Sequence, residues 1–214
     1  MDIIRKLAEE LQIRPGQAQA AVKLIDEGNT IPFISRYRKE ATGALNDEVL
    51  RNLYERLNYL RNLEEKKEQV ISSIEEQGKL TDALKQQILA AETLVAVDDL
   101  YRPYRPKRRT RATIAKERGL EPLANVLLLQ QLDHPALEEA AGYISEEKGV
   151  ATAEDALQGA MDIVAEAIAD EADYRSYIRE KTMNKGTLTS GAKDKETESV
   201  YEMYYDFEEP VAKL

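Results

Sequence analysis

The sequence predicts an all-α chain: a multi-helix bundle with a helix-turn-helix-like corner and one long spine helix. Three observations predict it. Only 10 Gly and 7 Pro occur in 214 residues, while Ala, Leu, Glu, Lys and Gln, all good helix formers, abound. Apolar residues recur at three- and four-residue spacing along most of the chain. Several of these stretches open on Thr or Asn, residues suited to cap a helix start.

Asp2 to Leu11 reads as a short helix with Ile3, Ile4, Leu7, Ala8 and Leu11 on one face. Arg14-Pro15-Gly16 is expected to break it. Gln17 to Glu27 reads as a second helix, stopped by Gly28-Asn29. Thr30 is placed to cap a third, Ile31 to Glu40, with Pro32 tolerated in its first turn. Three short helices with a tight Gly turn resemble a helix-turn-helix unit at about 1–45.

Asn46 is placed to cap the spine, with Asp47 and Glu48 at its positive end. Its apolar stripe runs to Gln77, and Gly78 ends it; some thirty residues give about 45 Å. The gap in the stripe at Lys66-Lys67 suggests a solvated middle. Thr81 and Thr93 each cap a shorter helix, ending near Ala91 and Tyr101. Arg102-Pro103 and Arg105-Pro106 bias the next stretch to extended backbone. Helices are expected from Glu121 to Gln131 and from Pro135 to Ser145. Thr152 and Asp155 form a capping box for a long Ala-rich helix, 153–172, whose face of Ala156, Gly159, Ala160 and Ala167 suits close packing. A further helix follows at 174–183. Residues 184–214 are polar and weakly strand-like at best, then aromatic and acidic, and read as a linker.

Composition excludes several functions. With 43% apolar and 33% charged residues, the chain can bury a core beneath a charged exterior. There is no Cys, so disulfides, thiolate zinc sites and cysteine nucleophiles are excluded. The mixed-charge start is no signal peptide, and unbroken apolar runs such as Val126 to Leu129 are far too short for a membrane helix. A cytoplasmic protein without membrane contact is expected.

Against this acidic background one stretch stands out. Tyr101 to Arg118, YRPYRPKRRTRATIAKER, holds eight Lys or Arg residues and a single acid, Glu117. The formal charge of the chain is −10, so a net +7 here leaves −17 for the remainder. Local positive charge beside aromatics is the footprint of a phosphate-backbone partner.

Two blocks carry a family resemblance. NTIPFISRYRKEATGAL at 29–45 and DDLYRPYRPKRRTRATIAKERGLEPLA at 98–124 are similar to signatures of the Tex family of bacterial, YqgF-containing transcription accessory proteins. EEQGKLT at 75–81, ALQGAMDIVAEAIADEADYR at 156–175 and YYDFEEPV at 204–211 support it. At Ser35 and Ala44 the chain differs from the small residues, Ala and Gly, that the pattern has there. The resemblance implies an N-terminal helical domain over 1–183. Residues 184–214 would lead to an RNase-H-like domain, followed by helix-hairpin-helix elements and an OB-fold RNA-binding domain. On that reading this chain is an N-terminal fragment and partners the transcription machinery and those downstream domains. The aromatics Tyr201, Tyr204, Tyr205 and Phe207 then look like a surface cut from its neighbour.

Two candidate sites follow. In the basic strip, Arg102, Arg105, Lys107, Arg108, Arg109 and Arg111 can contact phosphates, and Tyr101 and Tyr104 can stack on bases. The strip can equally dock on acidic helices, since residues 133–214 hold twenty acids against eight bases. The second candidate is Arg36, Arg38 and Lys39, on a recognition helix or in an ion-pair network with Glu40, Asp47 or Glu48. Ile34 and Tyr37 are expected to make part of that face core. His134 reads as a turn residue. No phosphate loop, nucleophile motif or metal-ligand spacing appears, so no catalytic residue, metal or cofactor is expected. The expected function is a non-catalytic scaffold adding a basic surface to sequence-independent binding of RNA or DNA. That binding is weak for the fragment alone, because its acidic remainder repels phosphates. The alternative is a scaffold whose strip docks on proteins.

Overall fold

A computed structural model describes residues 1–106 and 108–214. Helix dominates, and the chain divides into two compact units, Met1–Val97 and Asp98–Leu214.

The first unit is built on its spine. Helix α1 (Ile3–Glu10) is capped by Asp2, whose carboxylate accepts the N–H of Arg5 at 3.1 Å. Helix α2 spans Pro15–Asp26. Pro15, expected to break the chain, instead opens α2, because its missing N–H and fixed φ suit a first helical position. The Gln17 side chain accepts the N–H of Arg14 at 3.2 Å. Gly28 turns the chain at φ +83°, and the Asn29 amide donates to the Leu24 carbonyl at 2.8 Å.

Helix α3 (Ile31–Tyr37) is shorter than predicted. Thr30 stands at its N-cap, but its side chain makes no capping bond. Arg38, at φ −128° and ψ 27°, interrupts the helix before the single turn α4 (Lys39–Thr42). Tertiary contacts decide this break. Thr42 is fully buried, and the Gln17 amide donates to the carbonyls of Thr42 and Gly43 at 3.1 and 3.0 Å. That pins α4 to the start of α2. Gly43 and Ala44 then take φ of +61° and +63°.

Helix α5 (Asp47–Glu76) is the predicted spine, with the Asn46 side chain accepting the Val49 N–H at 2.8 Å. Leu50, Leu53, Leu57 and Leu60 are buried against Leu7, Ala21, Val22 and Ile34 from the preceding helices. Each such leucine contributes about 2 kcal/mol of transfer free energy. The spine's middle is not solvated as predicted: Lys67 is 3% exposed. Its ammonium donates to Glu64 and to the Leu89 carbonyl, both at 2.9 Å. The two partners satisfy a charge that would otherwise be costly to bury. Helix α6 (Asp82–Ala90), capped by Thr81, supplies that carbonyl and packs Ile88 inward.

Helix α7 (Leu94–Tyr101), capped by Thr93, carries the unit boundary. Arg102–Tyr104 continue it as a 3₁₀ turn, where extended backbone was predicted. Pro103 sits in the first turn, where its missing N–H costs nothing. Arg105, at φ −63° and ψ 134°, and Thr110, at φ −99° and ψ 169°, are extended as expected.

The second unit packs on α11 (Ala153–Asp170), for which half of the predicted capping box forms: Thr152 accepts the Asp155 N–H at 3.1 Å. Helices α8 (Arg111–Glu117), α9 (Glu121–Leu129) and α10 (Ala136–Ala141) surround Ala156, Gly159 and Ala160 of its small face, whereas Ala167 is exposed. A Cβ at Gly159 would lie 2.4 Å from Leu120 Cδ1 and 3.3 Å from Ala115 Cβ, so the absent side chain sets the packing distance. Glu171 (ψ 118°) breaks α11 from α12 (Ala172–Lys185), which buries none of its residues. The segment expected to be weakly strand-like at best forms an antiparallel pair, β1 (Thr187–Gly191) and β2 (Asp206–Pro210), with Ser190 opposite Phe207. Among the described residues no helix is long and apolar enough to cross a membrane.

Candidate nucleic-acid interface

The basic strip leaves the end of α7 and enters α8, and the fold engages four of its arginines with acids of the same unit. Arg102 donates to Asp170 at 2.9 Å. Arg105 donates to Asp98 at 3.2 Å and stands 5.8 Å from the Tyr101 ring centroid. Arg109 donates to Glu117 at 2.6 Å, and Arg111 lies 3.8 Å from Asp162. Arg108 is exposed and has no ion-pair partner among the described residues. Tyr101 and Tyr104 are half-buried. Lys107 lies outside the described residues.

The pairs of Arg109 and Arg111 are partial occupants rather than fixed bonds, whereas Arg102 is held by the buried Asp170. The side chains of Arg109 and Arg111 are 66% and 84% exposed, and exposed pairs contribute only about 0–1 kcal/mol. A phosphate can compete for them.

Behind the strip lies a stronger network. Asp99 is buried and accepts from Arg175 and from Arg179, both at 2.6 Å. Burial works to raise its pKa, but those two hydrogen bonds outweigh it and hold the carboxyl below the usual range. This network attaches one side of α12. It was not anticipated, although Arg175 and Arg179 share a helix face at four-residue spacing.

The α3–α4 corner has the opposite character. Arg36, Arg38 and Lys39 are exposed, and none forms an ion pair among the described residues. The predicted network with Glu40, Asp47 or Glu48 is not formed; Asp47 pairs instead with Arg51 at 2.6 Å, one turn along α5. Arg38 lies over the Phe33 ring, 5.1 Å from its centroid, and donates to the Tyr37 carbonyl at 3.3 Å. Ile34 is core as predicted, but Tyr37 is 67% exposed. The apolar face of α3 runs through Ile31 and Ile34, so Phe33 and Tyr37 make a separate i, i+4 pair, with centroids 5.3 Å apart.

His134 sits before α10, with Nδ1 2.9 Å from Asp133 and Nε2 3.1 Å from Glu139. The hydrogen bond to Asp133 first, then that to Glu139, raises its pKa above the usual histidine value. Among the described residues no group of three or more His, Asp or Glu is placed to hold a metal ion.

The chain has relatives among known proteins. Residues 1–75 match the family model of the Tex-like protein N-terminal domain, and residues 132–214 that of the Tex central region. The chain is 50% identical, over 99% of its length, to the transcriptional accessory protein Tex of Neisseria gonorrhoeae, of which it covers 28%. It is 49% identical to the protein tex of Bordetella pertussis, over 99% of this chain and 27% of that one. A human relative, S1 RNA-binding domain-containing protein 1, is 32% identical over 83% of this chain and 18% of its own length. The chain thus spans less than a third of the length of these relatives. It belongs to the Tex family.

Proposed function

We propose that this chain is a cytoplasmic, non-catalytic helical scaffold of a transcription accessory protein, and that it adds basic surface to sequence-independent nucleic-acid binding. The observation that carries the reading is the set of exposed cations Arg36, Arg38 and Lys39, none ion-paired among the described residues. Such cations can neutralise phosphates without first breaking an ion pair, and releasing counterions from the nucleic acid drives such binding. The names of a gonococcal transcriptional accessory protein and a human S1 RNA-binding domain protein support a nucleic-acid setting. The net charge of −10 keeps the affinity of this chain modest.

A second reading is favoured by one observation. Arg102, Arg105, Arg109 and Arg111 pair with acids of their own unit, as a docking strip would. On that reading residues 101–111 serve packing within the full-length protein and its downstream domains.

Fluorescence anisotropy with labelled single-stranded RNA and duplex DNA, over a salt series, separates the two. A strip variant (Arg105→Ala, Arg108→Ala, Arg109→Ala) is run beside the parent, with equal helicity confirmed by circular dichroism. Salt-sensitive binding by the parent supports the proposal. Unchanged binding by the strip variant assigns the strip to docking.

A further inference from the structure

We infer that Tyr37 is a stacking platform for one unpaired base, so that the α3–α4 corner takes single-stranded nucleic acid in preference to duplex. This rests on the nucleic-acid reading above and deepens it.

Tyr37 is 67% exposed at the last position of α3, while its ring stands 5.3 Å from Phe33 at an interplanar angle of 45°. Phe33 in turn carries the Arg38 guanidinium at 5.1 Å. The ring is therefore held from the Phe33 side, so little ordering remains to be done when a base arrives. Every base offers a π-face, and stacking of this kind is tolerant of sequence.

Arg36, Arg38 and Lys39 bracket the ring in sequence, and Glu40 is the single acid between residues 31 and 45. From the neighbouring α5, Asp47 is engaged by Arg51. The corner is thus a cationic surface around an aromatic, the combination that tracks a single-stranded backbone.

Duplex readout is disfavoured by the same helix. A recognition helix reads base edges from its N-terminal residues. Here those residues are Ile31, Pro32 and Phe33, which offer no hydrogen-bonding side chain, and the Ser35 hydroxyl is spent on the Pro32 carbonyl at 3.2 Å. The helix then stops after seven residues.

The test uses the 214-residue chain, a 2-aminopurine-labelled poly-pyrimidine RNA and a blunt hairpin duplex. Three variants are compared: Tyr37→Leu, Tyr37→Phe, and the triple Arg36→Ala, Arg38→Ala, Lys39→Ala. Tyr37 is exposed, so its variants fold; circular dichroism checks this. The expected result for Tyr37→Leu is a roughly 5- to 150-fold loss of single-strand affinity with an unchanged salt slope. Stacking-dependent quenching of 2-aminopurine disappears with it, duplex binding is unaffected, and Tyr37→Phe behaves as the parent. The triple variant instead lowers the salt slope for both ligands. If the parent binds and Tyr37→Leu binds single strands equally well, stacking at Tyr37 is overturned while the phosphate contact stands. If the folded parent binds neither ligand at low salt, the nucleic-acid reading falls and this inference with it.

Discussion

Lys67 donates its ammonium to the Leu89 carbonyl at 2.9 Å from a position in the spine where it is 3% exposed. This one side chain ties α5 to the end of α6 and neutralises Glu64, which also accepts from the terminal amine of Met1 at 2.7 Å. Lys67→Ala removes the donor to a carbonyl and a cation from beside a carboxylate. A loss of about 2 kcal/mol in urea unfolding is expected, with Lys67→Met less harmful because it keeps the packing of the stem. Equal stability of Lys67→Ala and the parent would contradict the account.

Glu64 links the same cluster to pH. Burial tends to raise its pKa, but hydrogen bonds from the terminal amine and Lys67 prevail and lower it. A depressed carboxylate stabilises the fold above its unfolded pKa, and that stability is lost as pH falls through the folded value. The urea midpoint should drop below about pH 4.5, and Glu64→Gln should flatten that limb. His134 behaves with opposite sign. Its raised pKa gives a contribution present below the unfolded value and lost as pH rises through the folded one. Proton NMR should show its ring titrating above about 6.5, and nearer that value in Glu139→Gln.

The contact of Gly159 with Leu120 predicts a packing defect. In an open helix Gly→Ala would gain up to about 1 kcal/mol. Here the new methyl would sit 2.4 Å from Leu120 Cδ1, and overpacking costs about 1–3 kcal/mol. Gly159→Ala should lower the unfolding midpoint, and Leu120→Val in the same chain should reduce the penalty. Differential scanning calorimetry of the four members of the cycle measures it.

Ala44 carries the reverse prediction. At φ +63° it holds a left-handed conformation that costs a residue with a Cβ about 1 kcal/mol. Ala44→Gly should therefore stabilise the first unit by up to that amount in chemical denaturation. A lower midpoint would show that the strain is absent.

Asp99 predicts a local effect. Helix α12 buries no side chain, and Arg175 and Arg179 both hold Asp99. Asp99→Asn should weaken amide-exchange protection of residues 172–185 well before that of α11. Equal protection in both helices would place the attachment elsewhere.

Much of the fold was legible because its signals are local. Asp2, Asn46, Thr81, Thr93 and Thr152 all sit at helix starts, and the spine's stripe of leucines is core throughout. What escaped was set by distant partners. Lys67 interrupts an apolar stripe, and only the Leu89 carbonyl makes its burial tolerable. The stop at Arg38 depends on Gln17 and Thr42. The pairing of β1 with β2 joins residues some twenty positions apart whose pattern is too polar to announce a strand. At the site, the arginines were readable as a cluster, and docking on the acids of 133–214 was one of its two readings; the individual partners, Asp162 and Asp170 in that stretch and Asp98 and Glu117 outside it, were not legible. The exposure of Tyr37 was masked by its neighbour Ile34, which is core.

The measurement that bears most directly on the proposed function is the salt dependence of single-stranded RNA binding by the parent chain and by the Arg36→Ala, Arg38→Ala, Lys39→Ala variant. Each neutralised phosphate contributes a slope of about −0.7 in log K against log salt for single strands. The parent slope is expected near −2, with a nearly flat, weak response from the variant. Identical slopes and affinities for the two folded proteins would contradict it.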